Sequence, residues 1–213
     1  MMYENRNPDK KSSEGMWLQS ISQKGGARLT RSGILWTNLN KRLISDKEKD
    51  LSYNLCKNLF DNFQSFSEWC NSEVNYRSID GRNRFYNLDK DILIPENKVY
   101  CPDSCCFIPQ DLNLALSKGN SRSNKGLIGT SAVMYKSGIK YISQISSPYH
   151  KRNYLGTFDS EMEAHKAWQI EKIKVLKMLI EDYNYLPNKI IHGLSLHILL
   201  IQNNLSHNEP TAW

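Results

Sequence analysis

Apolar positions in the N-terminal half recur first at helical spacing and then in short runs bounded by turn residues. Trp36, Leu39 and Leu43 predict a short helix over Ile34–Leu43, and Asp46 to Asp50 reads as a charged, solvated turn after it. Leu59, Phe60, Phe63, Phe66 and Cys70, with Trp69 beside them, predict an amphipathic helix whose aromatics build core rather than bind a ligand. Asn75 to Asn83 is polar and loop-like. Phe85 to Leu93 then predicts a strand, Pro95 to Lys98 a turn, and Val99-Tyr100 a second extended piece. Cys105 to Ile108 is apolar, and Pro109 suits the first position of a helix running to about Leu116.

Three further strands are predicted at Gly129–Tyr135, Lys140–Ser146 and Asn153–Phe158, with turns at Ser137-Gly138 and Ser147-Pro148. Ser160 and Glu163 form a capping-box signature that opens a long helix to about Asp182. Its apolar stripe is Ala164, Trp168, Val175 and Leu179, interrupted at Glu171. The expected fold class is therefore α+β. A flexible basic arm (1–30), with one short strand at best, precedes a helical leader and a strand–strand–helix unit (31–117). A Ser, Gly, Asn and Lys linker (118–125) leads to a three-stranded antiparallel sheet packed on one helix (126–185). A tail (186–213) carries one short helix around Leu194–Ile201.

Charge sharpens this picture. The net charge is +6, a weak hint of an anionic partner, but its distribution is uneven. Between Asp111 and Asp159 no acidic residue occurs, while Lys118, Arg122, Lys125, Lys136, Lys140, Lys151 and Arg152 do. These seven exceed the net charge of the whole chain, so the basic character sits in one segment, as a phosphate-facing surface requires. No run of eighteen apolar residues predicts a membrane span, and Met1 to Lys11 lacks the apolar core of a secretory signal. The chain is expected to stay in the compartment where it is made. Cys101, Cys105 and Cys106 cluster, but without the paired Cys-x-x-Cys spacing of a zinc site, and with Cys56 and Cys70 they read better as buried free thiols.

The order Lys140-Tyr141-x-x-x-Ile145, then Tyr154-Leu155-Gly156-Thr157-Phe158, then Ser160-x-x-Glu163-Ala164 resembles the APETALA-type DNA-binding domain of plant ethylene-response factors, over roughly residues 126–182. That domain also occurs fused to phage homing endonucleases. The resemblance implies a sheet entering the major groove of double-stranded DNA, with Tyr135, Lys136, Lys140, Gln144, Ser146, Lys151, Arg152 and Tyr154 as contacts. Lysine and arginine would mostly hold phosphate, and Gln144 could reach a base edge. The plant domain carries several strand arginines where this chain has Ser131, Ser143 and Ser146. Duplex DNA is favoured over RNA, whose major groove is too narrow for a sheet.

Upstream, Leu88-Asp89-Lys90-Asp91, then Val99-Tyr100-Cys101-Pro102-x-x-Cys105, then Phe107-Ile108-Pro109 and Asn113 resemble the HNH-like nucleases encoded by many phages. Trp36-Thr37-Asn38-Leu39 with Arg42, and Phe63-x-x-Phe66-x-x-Trp69, match that family's leader. The resemblance implies a ββα-metal unit, hydrolysis of DNA phosphodiesters with Mg2+ (or Mn2+), and action in the cytoplasm of the infected host cell. Asp89 and Asn113 would be metal ligands. Lys90 stands where these enzymes usually place histidine, and would clamp the scissile phosphate, while Tyr100 would polarise the nucleophile. Asp91, two residues along an extended strand, would share a face with Asp89. No histidine precedes His150, so the first half offers none as a base. His150 lies in a basic turn facing DNA, and His165 on the long helix reads as structural. The alternative to the nuclease is a catalytically silent DNA-binding regulator or inhibitor on the same scaffold.

Overall fold

The computed structural model describes residues 9–23, 26–49, 57–116, 126–149 and 153–211. The chain forms two units, Met1–Lys90 with Asn97–Gln110, and Asp91–Glu96 with Asp111–Trp213. It is a mixed fold of helices and small sheets. The linker reading for 118–125 falls on residues outside those described.

In the first unit β1 (Ser20–Gln23) and β2 (Gly26–Leu29) pair antiparallel, two strands where the sequence predicts one at best. Nothing in their polar sequence signals burial, because the N-terminal segment is held from outside. The Trp17 backbone N–H donates to Gln64 Oε1 at 2.7 Å, and the Trp17 carbonyl accepts from Gln64 Nε2 at 2.8 Å. Next comes α1 (Arg31–Lys49), which runs through the stretch predicted to be a charged turn. Its last residues, Lys47-Glu48-Lys49, are good helix formers, so a run of charges does not end the helix. The start is capped twice: Thr30 Oγ1 accepts from the Gly33 N–H at 3.1 Å, and Asp9 accepts from the Ser32 N–H at 2.9 Å.

The strand β3 (Lys57–Asn58) precedes α2 (Phe63–Ser72), whose N-cap Asn62 forms a reciprocal capping box with Ser65. Phe66 and Cys70 are fully buried on its inner face, as the spacing predicts. Phe66 meets Phe60 edge-on at 5.0 Å, and Phe107 stacks on Trp69 at 5.5 Å and leans on Tyr76 at 5.0 Å. These rings form the core of the unit.

The elements β4 (Asn87–Asp89), β5 (Val99–Tyr100), β6 (Cys106–Ile108) and α3 (Gln110–Leu116) follow. The first is shorter than predicted. Its ladder stops at Asp89 because the Lys90 carbonyl accepts from Asn97 Nδ2 at 2.6 Å instead of from a strand N–H. β4 pairs antiparallel with β6, whereas β5 pairs in parallel with β3. The strand–strand–helix succession is thus β4, β6, α3. Asp91 lies beyond the strand and in the other unit, so the alternation argument that put it on one face with Asp89 does not apply.

In the second unit β7 (Thr130–Tyr135), β8 (Gly138–Gln144) and β9 (Tyr154–Phe158) form an antiparallel sheet in that order. The long helix α4 (Glu161–Asp182) packs across all three strands, and α5 (Asn188–Ser206) packs on α4. Ser160 caps α4 through the predicted box with Glu163. Gly129 sits where an added Cβ would fall 2.2 Å from the Trp168 ring, so helix and sheet meet almost backbone to indole. The apolar run Leu194–Ile201 is the middle of a nineteen-residue helix, longer than predicted. Gly193 lets α5 approach residue 92, where a Cβ would lie 2.1 Å from the Ile92 carbonyl oxygen. Among the described residues no helix is long and apolar enough to cross a membrane.

Candidate nucleic-acid interface and catalytic cluster

The two faces of the three-stranded sheet differ sharply. Register pairs Thr130 with Ser143 and Ala132 with Tyr141, and these residues face α4. Ser143 and Ile145 are buried there, and Thr130 Oγ1 donates to Glu161 in the first turn of the helix. Residues of the opposite parity, Ser131, Val133 and Tyr135 with Lys140, Ile142 and Gln144, lie on the face that α4 leaves open. A bulge between Ser143 and Gln144 brings Tyr154 opposite Gln144, and the Tyr154 hydroxyl meets Thr157 Oγ1 at 2.8 Å on that same face.

Of the predicted DNA contacts, Tyr135, Gln144 and Tyr154 are exposed on this face, and Lys140 pairs there with Asp159. That pair is largely solvated, so Lys140 can exchange its partner for a phosphate at little cost. Lys136 is exposed in the β7–β8 turn and Ser146 just after β8. His150, Lys151 and Arg152 lie outside the described residues. Ser143 faces the helix, so it cannot stand in for a groove-reading arginine. Met134 and Ile139, on the helix side by register, are 74% and 53% exposed, so the hairpin end projects past α4.

His165 has a structural role. Its Nδ1 meets the Ile128 carbonyl at 2.8 Å and its Nε2 accepts from the Thr211 backbone N–H at 2.9 Å, which fixes a neutral ring. Burial holds its pKa below the ordinary histidine value.

The proposed catalytic residues divide between the units. Asp89, Lys90 and Tyr100 belong to the first, and Asn113, half-buried on α3, to the second. Asp89 ends β4 opposite Cys106, 6% exposed. Burial pushes the nearby Cys105 thiol up to about 12, and the Asp89 charge adds to that effect. Cys70, Cys105 and Cys106 are buried free thiols, and Cys101 is a half-buried one. The Lys90 ammonium donates to the Asn97 carbonyl at 2.8 Å and lies 5.7 Å from the centre of the Tyr100 ring. To clamp a phosphate it would have to leave that carbonyl.

Arg42 and Asn97 were not among the predicted site residues. Arg42 Nη1 donates to the Tyr100 hydroxyl at 3.3 Å, from one helix turn beyond Leu39. Its place in the leader motif was the signal available. Asn97 bonds the Lys90 and Val99 carbonyls at 2.6 and 2.8 Å and so ties the residue after β4 to β5. A turn asparagine with no chemistry of its own gives no such signal. Another cation, Arg31, is buried: it is stacked 4.2 Å from the Tyr76 and Phe85 rings and donates to the Tyr86 carbonyl at 2.9 Å, so it belongs to the core.

Among the described residues no group of three or more His, Cys, Asp or Glu side chains is placed to hold a metal. A carboxylate such as that of Asp89 and an amide oxygen such as that of Asn113 are each hard donors of the kind Mg2+ accepts. Comparison with protein-family models, with curated proteins and with solved structures found no match. The functional reading therefore rests on the residues of this chain.

Proposed function

We propose that this chain binds double-stranded DNA through the open face of the β7–β8–β9 sheet and hydrolyses its phosphodiester bonds with the HNH-like cluster around Asp89. The observation that carries the reading is the sheet itself. One face is closed by α4, the other is open, and it lies in the longest stretch of the sequence without an acidic residue, between Asp111 and Asp159. A narrow sheet of this kind fits a major groove, and its surrounding lysines answer the phosphates.

In the catalytic part, Asp89 and Asn113 would hold Mg2+ or Mn2+, and the ion would offset charge on the scissile phosphate. Arg42 orients the Tyr100 hydroxyl, and Lys90 supplies a positive charge beside it. Asp89, Lys90 and Tyr100 are each less than a tenth exposed, and this favours a second reading, a DNA-binding regulator that does not cut. Either activity would be exercised on DNA in the cytoplasm of an infected cell.

The test is cleavage of supercoiled plasmid with Mg2+ or Mn2+ by the full chain and by Asp89→Ala, Asn113→Ala and Tyr100→Phe, with duplex binding measured in parallel. Nicking lost in the variants while binding persists supports the nuclease. Binding without nicking by the native chain establishes the silent regulator, and absence of duplex binding overturns both.

A further inference from the structure

The open sheet face carries a chemistry that selects between base pairs. No arginine occurs anywhere in β7, β8 or β9. Guanine shows two acceptors in the major groove, and a bidentate arginine or lysine is the usual way to satisfy both. The one cation within these strands on the open face is Lys140, whose solvated pair with Asp159 leaves it a single ammonium suited to a phosphate. The face carries instead an amide, Gln144 at the end of β8, and two branched aliphatic side chains, Ile142 and Val133. Gln144 is exposed, and nothing among the described residues ties its amide. An amide matches the N7 acceptor and N6 donor of adenine, and an aliphatic group matches the thymine methyl.

Spacing supports the pairing. Ile142 and Gln144 are two residues apart on one strand, or about 7 Å, which spans about two base-pair steps along the groove. The bulge opposite the Ser143–Gln144 step leaves Leu155 of β9 as the extra residue and sets Tyr154 beside Gln144 on the open face. We infer that the sheet discriminates in favour of A·T pairs, with Gln144 reading adenine and Ile142, flanked by Val133, receiving the thymine methyl. This rests on the DNA-binding reading and adds the class of site to it.

The experiment measures binding of the full chain, at one fixed salt concentration, to four duplexes of equal length that differ in their central pairs. The cores are A·T, G·C, A·U and inosine·cytosine. The A·T core is expected to bind on the order of tenfold more tightly than G·C. Uracil, which lacks the methyl, is expected to cost about threefold. Inosine·cytosine presents a G·C-like major groove and an A·T-like minor groove, so it should bind as weakly as G·C.

Gln144→Ala should narrow the gap between A·T and G·C, and Ile142→Ser should abolish the difference between thymine and uracil. The unmodified chain on the four duplexes keeps the test decisive should either variant misfold. Equal binding to A·T and G·C, a preference for G·C, or inosine·cytosine behaving as A·T would overturn the inference while leaving DNA binding intact. Failure to bind any of the four would overturn the DNA-binding reading itself.

Discussion

Lys172 offers a sharp quantitative test of the second unit. It lies on α4, 3% exposed, with its ammonium donating to the Ala115 carbonyl and 5.5 Å from the centre of the Trp168 ring. Burial lowers its pKa from an ordinary 10.5 to about 8. Below pH 8 the amine is protonated in both folded and unfolded chains. Between 8 and 10.5 only the unfolded chain keeps the proton, so stability rises with pH across that window. It is fully gained above 10.5 and lost again as pH falls through 8. The interval corresponds to about 3 kcal/mol, from roughly 1.4 kcal/mol per pH unit of displacement.

Lys172→Met keeps the volume and removes the titration. His197, whose pKa Lys172 helps to lower, is neutral across this window, so it drops out of the difference. Urea unfolding of each at pH 7 and at pH 10.5 should therefore show the native chain gaining about 3 kcal/mol relative to the variant on going to the higher pH. A stability difference that does not change with pH would refute the lowering of the Lys172 pKa by burial.

Further outcomes follow from the structure. His165 and His197 are both held below the ordinary histidine pKa by burial, so only the unfolded chain takes up their protons as pH drops below about 6.5. Thermal melts should fall from pH 7.5 to pH 5, and an unchanged midpoint would contradict the buried neutral rings. Gly129→Ala combines a φ of +78° with a Cβ 2.2 Å from Trp168, and should cost about 2–4 kcal/mol in urea unfolding. Gly15→Ala, at φ +81° in open space, should cost only about 1 kcal/mol. Ser160→Ala removes the cap of α4 and should cost about 1 kcal/mol by the same assay. For DNA, Lys136→Ala should flatten the salt dependence of duplex binding by about one unit of slope, as loss of one phosphate contact requires.

How much of this was readable in advance differs from element to element. The helix of Phe66 and Cys70, the three strands of the second unit and the Ser160 cap are all local: a repeating apolar face, turn residues at the right places, a hydroxyl before a helix. Their physics is complete within a few residues, so the sequence states it. The β1–β2 hairpin is different, since polar strands reveal nothing of a partner, and Trp17 finds Gln64 forty-seven residues away. The early end of β4 is different too, because only the fold shows that Asn97 takes the Lys90 carbonyl out of the ladder.

The candidate site divides in the same way. Sequence by itself determined which residues are candidates for chemistry, Asp89, Lys90, Tyr100 and Asn113 for catalysis and Lys136, Lys140 and Gln144 for DNA contact, because residue type and spacing are local properties. Tertiary structure decided which of them are available. It put Ser143 against α4 and Gln144 on the open face, one residue apart, since a strand alternates its sides and only packing says which side is covered. It also turned Lys90 onto a backbone carbonyl and set Arg42 against the Tyr100 hydroxyl. Those contacts join residues up to fifty-eight positions apart in the chain, and folding alone brings them within reach.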